Sequence, residues 1–150
     1  MNTTVRGRVA ALLTTAALLT GGSLTVGSGP ASAALSVRFA PSGTPTGFQI
    51  EVYRDGDLAG AAEWVQDPVG GSPGDTLYAY DVSADGYGIE AHLSNGRVAT
   101  TRGHNAPYTD RRSGDLPENQ HYTMWVCLVK GSSSTCSAKY GVTSLALTQE

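Results

Sequence analysis

Residues 114–131 read GDLPENQHYTMWVCLVKG. A leucine–proline step, a tyrosine six residues after the leucine, an alternating apolar run and a cysteine follow in quick succession. Tyr122, Met124, Val126 and Leu128 alternate with Thr123, Trp125 and Cys127, the period-two pattern of a strand with two unlike faces. Gly131-Ser132 comes next and suits a two-residue type II′ turn, because glycine stands at the central position where φ must be positive. Counting outward from that turn, Lys130 pairs with Ser133, Val129 with Ser134, Leu128 with Thr135 and Cys127 with Cys136. The cysteine pair is then non-hydrogen-bonded, with Cα atoms about 4.5 Å apart, which a disulfide accepts. A bridge across so short a loop contributes about 2–3 kcal/mol at most. It locks a hairpin and does not hold the whole domain together.

The first residues set the compartment. Arg6 and Arg8 form a basic segment, Val9 to Leu19 is apolar, and Ala31-Ser32-Ala33 is an A-x-A cleavage site. This is the anatomy of a secretory signal peptide over residues 1–33, which leaves one domain at 34–150. The apolar stretch falls short of the roughly 20 residues that span a bilayer, and no later stretch reaches that length. A secreted, extracellular protein without a membrane anchor is expected. In that oxidising setting Cys127 and Cys136, the only cysteines, read as a disulfide rather than as metal ligands or a catalytic thiol. Without Arg6 and Arg8, the remaining basic side chains are outnumbered by 13 Asp and Glu. Arg111-Arg112 is the only adjacent basic pair, so a nucleic acid or an anionic membrane surface is disfavoured as partner.

Elsewhere the chain shows short alternation punctuated by turn dipeptides and no sustained helical period. Leu35 to Phe39 alternates and is expected to stop at the run Pro41-Ser-Gly-Thr-Pro45. Phe48, Ile50 and Val52 share a face of the next strand, Asp55-Gly56 reads as a type I′ turn, and Leu58 to Val65 returns. Asp67 to Asp75 is a surface loop. Asp85-Gly86 and Asn95-Gly96 repeat the I′ signal. As two-residue turns they set Val82 against Ile89, Tyr80 against Ala91 and Tyr78 against Leu93, then Leu93 against Val98 and Ala91 against Thr100. That register places Asp81 opposite Glu90, an unfavourable like-charge pair. Two alternatives stay open: solvent relieves the pair, or Asp85-Gly86 turns between two sheets.

The order L-P-x-x-x-x-Y at Leu116 to Tyr122, followed by alternating apolar residues, resembles the E–F corner and strand F of fibronectin type III and immunoglobulin-like domains. The resemblance covers about residues 76–147. It implies that Leu116 is the corner leucine, that Tyr122 hydrogen-bonds back to the corner backbone, and that Met124, Val126 and Leu128 point inward. The expected fold is all-β: a two-sheet antiparallel sandwich, immunoglobulin- or fibronectin-like, with extra N-terminal strands and one hairpin disulfide. The sequence departs from the family in lacking a tryptophan before Asp85 and in placing proline directly after the leucine. An unrelated up-and-down sandwich or barrel is the alternative.

With those residues inward, Trp125 points outward, opposite Ala138 and diagonal to Tyr140. The pair would make a platform for a sugar ring or a partner side chain, unless other segments cover it. Glu90 and His92 share the outward face of one strand, about 7 Å apart. Trp64 is expected in the core, and His104 and His121 on the surface. No H-E-x-x-H or H-x-H spacing, G-x-S-x-G elbow or phosphate-cradling glycine loop occurs. Asp81, Asp85 and Glu90 lack the alternating acidic loop of a Ca²⁺ site. No metal or other cofactor is expected. The sequence therefore favours a secreted, non-catalytic interaction module for an extracellular polysaccharide or protein. Trp125, Tyr140, His92 and Glu90 are its candidate binding residues. A secreted inhibitor of an extracellular protease, presenting Lys130 or Arg111 at a loop tip, is the second reading, and a small hydrolase the third.

Overall fold

A computed structural model describes residues 34–144 except Val69 and Ser72, so the leader expected at 1–33 lies outside the described residues. Ten strands are formed: β1 (Val37–Thr44), β2 (Gly47–Arg54), β3 (Asp57–Val65), β4 (Thr76–Asp81), β5 (Gly88–Leu93), β6 (Val98–Thr100), β7 (Tyr108–Arg112), β8 (His121–Lys130), β9 (Ser133–Cys136) and β10 (Tyr140–Thr143). They make two antiparallel sheets. One runs β1-β2-β3-β4-β7; the other runs β10-β8-β5-β6, with β9 also paired to β8. No helix occurs among the described residues, and none there is long and apolar enough to cross a membrane. The all-β, two-sheet sandwich with a hairpin disulfide is the architecture read from the sequence.

The core lies between the sheets. Ile50, Val52, Ala62, Trp64, Leu77 and Ala79 from the first sheet meet Ile89, Ala91, Leu93, Ala99, Met124, Val126 and Leu128 from the second. Trp64 is fully buried, and its indole Nε1 donates to the Thr143 carbonyl at 2.9 Å, which satisfies the one polar atom the ring would otherwise strand. Gly60 lies where β3 faces Ile89 of the other sheet. A Cβ there would fall 2.1 Å from the Tyr80 carbonyl oxygen and 2.5 Å from the Ile89 side chain.

The β8–β9 hairpin has the register counted from its turn, from Lys130–Ser133 to Cys127–Cys136. The two cysteines are bridged, with Cα atoms 4.0 Å apart. Asp55 and Gly56 both have positive φ and close β2 onto β3 as a two-residue turn.

Two expectations are corrected, and one open alternative is decided. β1 does not stop at Pro41; it continues to Thr44, with Pro41 opposite Ile50. As the edge strand of its sheet, β1 can leave the missing N–H on the unpaired side. Of the two alternatives for Asp85-Gly86, the turn between two sheets is the one formed, since β4 and β5 belong to different sheets. With that pairing gone, Leu77, Ala79 and Asp81 face inward and Val82 is 51% exposed. Asp81 never meets Glu90 across a ladder. Around Asn95-Gly96 the register is displaced by one residue, His92 pairing with Val98 and Ala91 with Ala99. Gly96 alone has positive φ, and its N–H closes onto the Leu93 carbonyl at 3.0 Å. This is a three-residue loop with a glycine bulge, not a type I′ turn.

Ser144 closes the corner before β8. Leu116 and Tyr122 both pack against the core, but the backbone there is satisfied by Ser144. Its hydroxyl donates to the Pro117 carbonyl at 2.7 Å and accepts from the Gln120 N–H at 3.3 Å. Its own backbone exchanges bonds with Asn119 and Gln120. Ser144 is fully buried and does what the resemblance implied for the tyrosine hydroxyl.

Candidate functional site

Inward alternation in β5 and β8 turns Glu90, His92, Trp125 and Cys127 onto the outer face of the second sheet. His92 and Trp125 are direct cross-strand partners, and their rings stack with centroids 5.0 Å apart and planes 2° from parallel. His92 Nε2 lies 3.1 Å from Glu90 Oε1. The other Glu90 oxygen accepts from Thr100 Oγ1 and Arg102 Nε, both at 3.3 Å. Lys139 Nζ sits 4.5 Å from the centre of the Trp125 indole. A chain of contacts therefore runs Lys139–Trp125–His92–Glu90–Arg102. Each member fixes the next, so the half-buried tryptophan is held in one orientation. The N-terminal strands lie in the other sheet and β10 lies in the plane of this one, so no described strand covers the face.

Tyr140 is not part of it. The hairpin register breaks after Cys136, where the Ser137 N–H bonds the Val126 carbonyl and the Ser137 hydroxyl accepts from the Val126 N–H at 3.2 Å. β10 resumes with Tyr140 opposite Met124. One residue of slip exchanges the faces of a strand, so Tyr140 turns inward and its ring meets Phe48 at 5.4 Å.

The face leads, through Arg102, to a cleft at one end of the sandwich. The β4–β5, β6–β7 and β8–β9 connections enclose about 430 Å³ between Tyr87, Arg102, His104, Asn105 and Lys130, over Asp81 and Thr101. Asp81 and Thr101 stand at the next inward positions after Ala79 and Ala99, where the alternation calls for apolar residues. They are 3% and 0% exposed. The Thr101 hydroxyl accepts from the Ile89 N–H at 2.8 Å and Asp81 Oδ1 accepts from the Ser83 N–H at 3.2 Å. Burial raises the Asp81 carboxyl above the usual carboxylate range. The Ser83 N–H opposes that rise, Asp85 adds to it, and the Thr101 hydroxyl opposes it.

The cleft depends on Asp85-Gly86 turning between sheets, the alternative the sequence left open, because the hairpin would have turned Asp81 outward. The signal available was a polar residue at an inward position in each of two strands. Of the proposed loop-tip cations, Lys130 folds back with Nζ 4.4 Å from the Tyr87 ring centre. Arg111 lies within β7, opposite Tyr78, and not in a loop. His104 stacks on Tyr108 with centroids 3.8 Å apart, and His121 is exposed at the start of β8. No group of three or more His, Cys, Asp or Glu side chains among the described residues is arranged to hold a metal. No protein-family model, curated protein or solved structure matches the chain.

Proposed function

We propose that this is a secreted, non-catalytic interaction module that binds an extracellular polysaccharide or protein through the outer face of β6, β5 and β8. The observation that carries the reading is the His92–Trp125 stack on a sheet face that no described strand covers. An aromatic surface already fixed by its neighbours loses little conformational freedom on binding, and such anchors dominate interface energetics. The disulfide supports export, because such bridges persist in oxidising compartments. Strand order supports the immunoglobulin-like resemblance: β4 beside β7, and β5, β8 and β9 in succession, repeat the B–E and C–F–G neighbours of that sandwich. Fold alone assigns no ligand. The inhibitor reading has less beneath it, with Lys130 held against Tyr87 and Arg111 inside a strand.

The test is capture of extracellular polysaccharide and protein by the oxidised native domain and by Trp125→Ala. Loss of a hot-spot aromatic weakens binding by about thirtyfold, the equivalent of ~2 kcal/mol. A partner retained equally by both forms places binding elsewhere.

A further inference from the structure

The cleft at the end of the sandwich carries an inference of its own. We propose that it is a second binding site, one that takes a carboxylated sugar of the uronic acid class. Its volume of about 430 Å³ falls in the range of small-molecule pockets and admits one sugar ring. Two cations converge on it from different connections, Arg102 after β6 and Lys130 at the end of β8. Asp81, on the floor, is the only carboxylate side chain lining it among the described residues. In a chain of formal net charge −3, this local excess of positive charge selects an anionic group.

Arg102 is aimed. Its Nε bonds Glu90, and its Nη1 donates to the Gly131 carbonyl. Two of its five N–H donors are thereby used to fix the guanidinium, leaving the others for a ligand carboxylate. The remaining walls suit hydroxyls. Asn105, His104 and Ser83 are among the residues lining the cleft, and Tyr87 is the aromatic one. Glycines occupy several wall positions, and at Gly88 a Cβ would press within 3.1 Å of the Thr101 hydroxyl. The site thus pairs cations with hydroxyl partners in a small space.

The experiment titrates the oxidised, isotope-labelled protein with glucuronate, with glucose and with acetate, following backbone amides by NMR. Glucuronate is expected to give saturable shifts over residues 83–88, 101–106 and 129–131. Glucose should bind about tenfold more weakly, the worth of one charge-assisted contact, and acetate should give no saturation. Lys130→Ala should weaken glucuronate about tenfold and leave capture through the sheet face unchanged. Failure here and failure of the sheet-face reading are therefore separable. Equal affinity for glucose and glucuronate would remove the cations from the recognition. Saturation by acetate reduces the site to a simple anion trap. No saturable shift with glucuronate at roughly tens of millimolar, where useful small-ligand affinities begin, overturns the proposal outright.

Discussion

Two Asp-Gly turns in this protein have the same sequence and opposite consequences. At Asp55-Gly56 both residues take positive φ, 53° and 98°, and β2 folds directly back onto β3. At Asp85-Gly86 only the glycine does, at 76°, and the chain passes from one sheet to the other. The Asp85 carboxylate accepts the Tyr87 N–H at 2.9 Å, an Asx turn that bends the chain away from a ladder. Arg54 joins the two turns, with Nη1 3.6 Å from Asp55 and Nε 2.9 Å from Asp85. The second contact is strongly attractive in distance but off-line for a hydrogen bond. The difference teaches that a turn dipeptide states where a chain reverses, while the flanking side chains decide whether it reverses within a sheet or across the core. Flanking Asp55-Gly56, Arg54 is the ladder partner of Asp57, so no like charges stand opposite each other there. Flanking Asp85-Gly86, a hairpin would have set Asp81 against Glu90.

The contrast breaks most sharply at Gly60, where the crossing brings Ile89 of β5 down onto β3. A side chain at this position must displace either the Tyr80 backbone or Ile89, and overpacking of this kind costs about 1–3 kcal/mol or more. Gly60→Val should therefore cost about 3 kcal/mol, read as a lowered denaturation midpoint, and leave the β8–β9 disulfide able to form. Unchanged stability would mean that the sheets are not in contact at this point.

Legibility in the sequence follows the same division. The β8–β9 hairpin could be paired to the residue because a two-residue turn and two cysteines both fix its register. Past Cys136 the register could not be read, since the slip that turns Tyr140 inward is held by the Ser137 hydroxyl and N–H on Val126 and has no compositional mark. Glu90, His92 and Trp125 could be assigned to outward faces from alternation alone. Their meeting could not, because it depends on β5 pairing with β8 at a sequence separation no local pattern encodes. The cleft was hidden for a further reason. Asp81 and Thr101 are polar residues in core-facing positions, legible only once the faces of β4 and β6 are assigned.

A smaller effect separates the two aspartates. Asp85→Ala removes the Asx bond and leaves Arg54 without its closer partner, and should cost about 1–2 kcal/mol. Asp55→Ala removes an exposed bond to the Ser36 N–H and places alanine at φ 53°, and should cost about 1 kcal/mol. Thermal denaturation of both variants and of Arg54→Ala orders them. An Asp55→Ala loss larger than that of Asp85→Ala would reverse the claim that the inter-sheet turn depends more on its side chains.

The smallest effect concerns the strand end that the second turn leaves inside the sandwich. Burial holds the Asp81 carboxyl above its usual range, so the folded protein keeps this proton more tightly than the unfolded chain does. Between the unfolded and the raised folded pKa the native state binds more protons, and stability must fall as pH rises through that window. The stabilisation by protonated Asp81 is complete below the ordinary carboxylate value and is lost as pH climbs past the folded one. Asn keeps the acceptor for the Ser83 N–H and has nothing to ionise. Asp81→Asn should match the native protein in acid and exceed it in midpoint temperature at neutral pH, the gap opening across that window. A gap that closes with rising pH would mean that the charged form is stabilised in the fold. The Asp81 carboxylate would then be an ion-paired group of the cleft, and not the desolvated floor that an inward position at the end of β4 makes it.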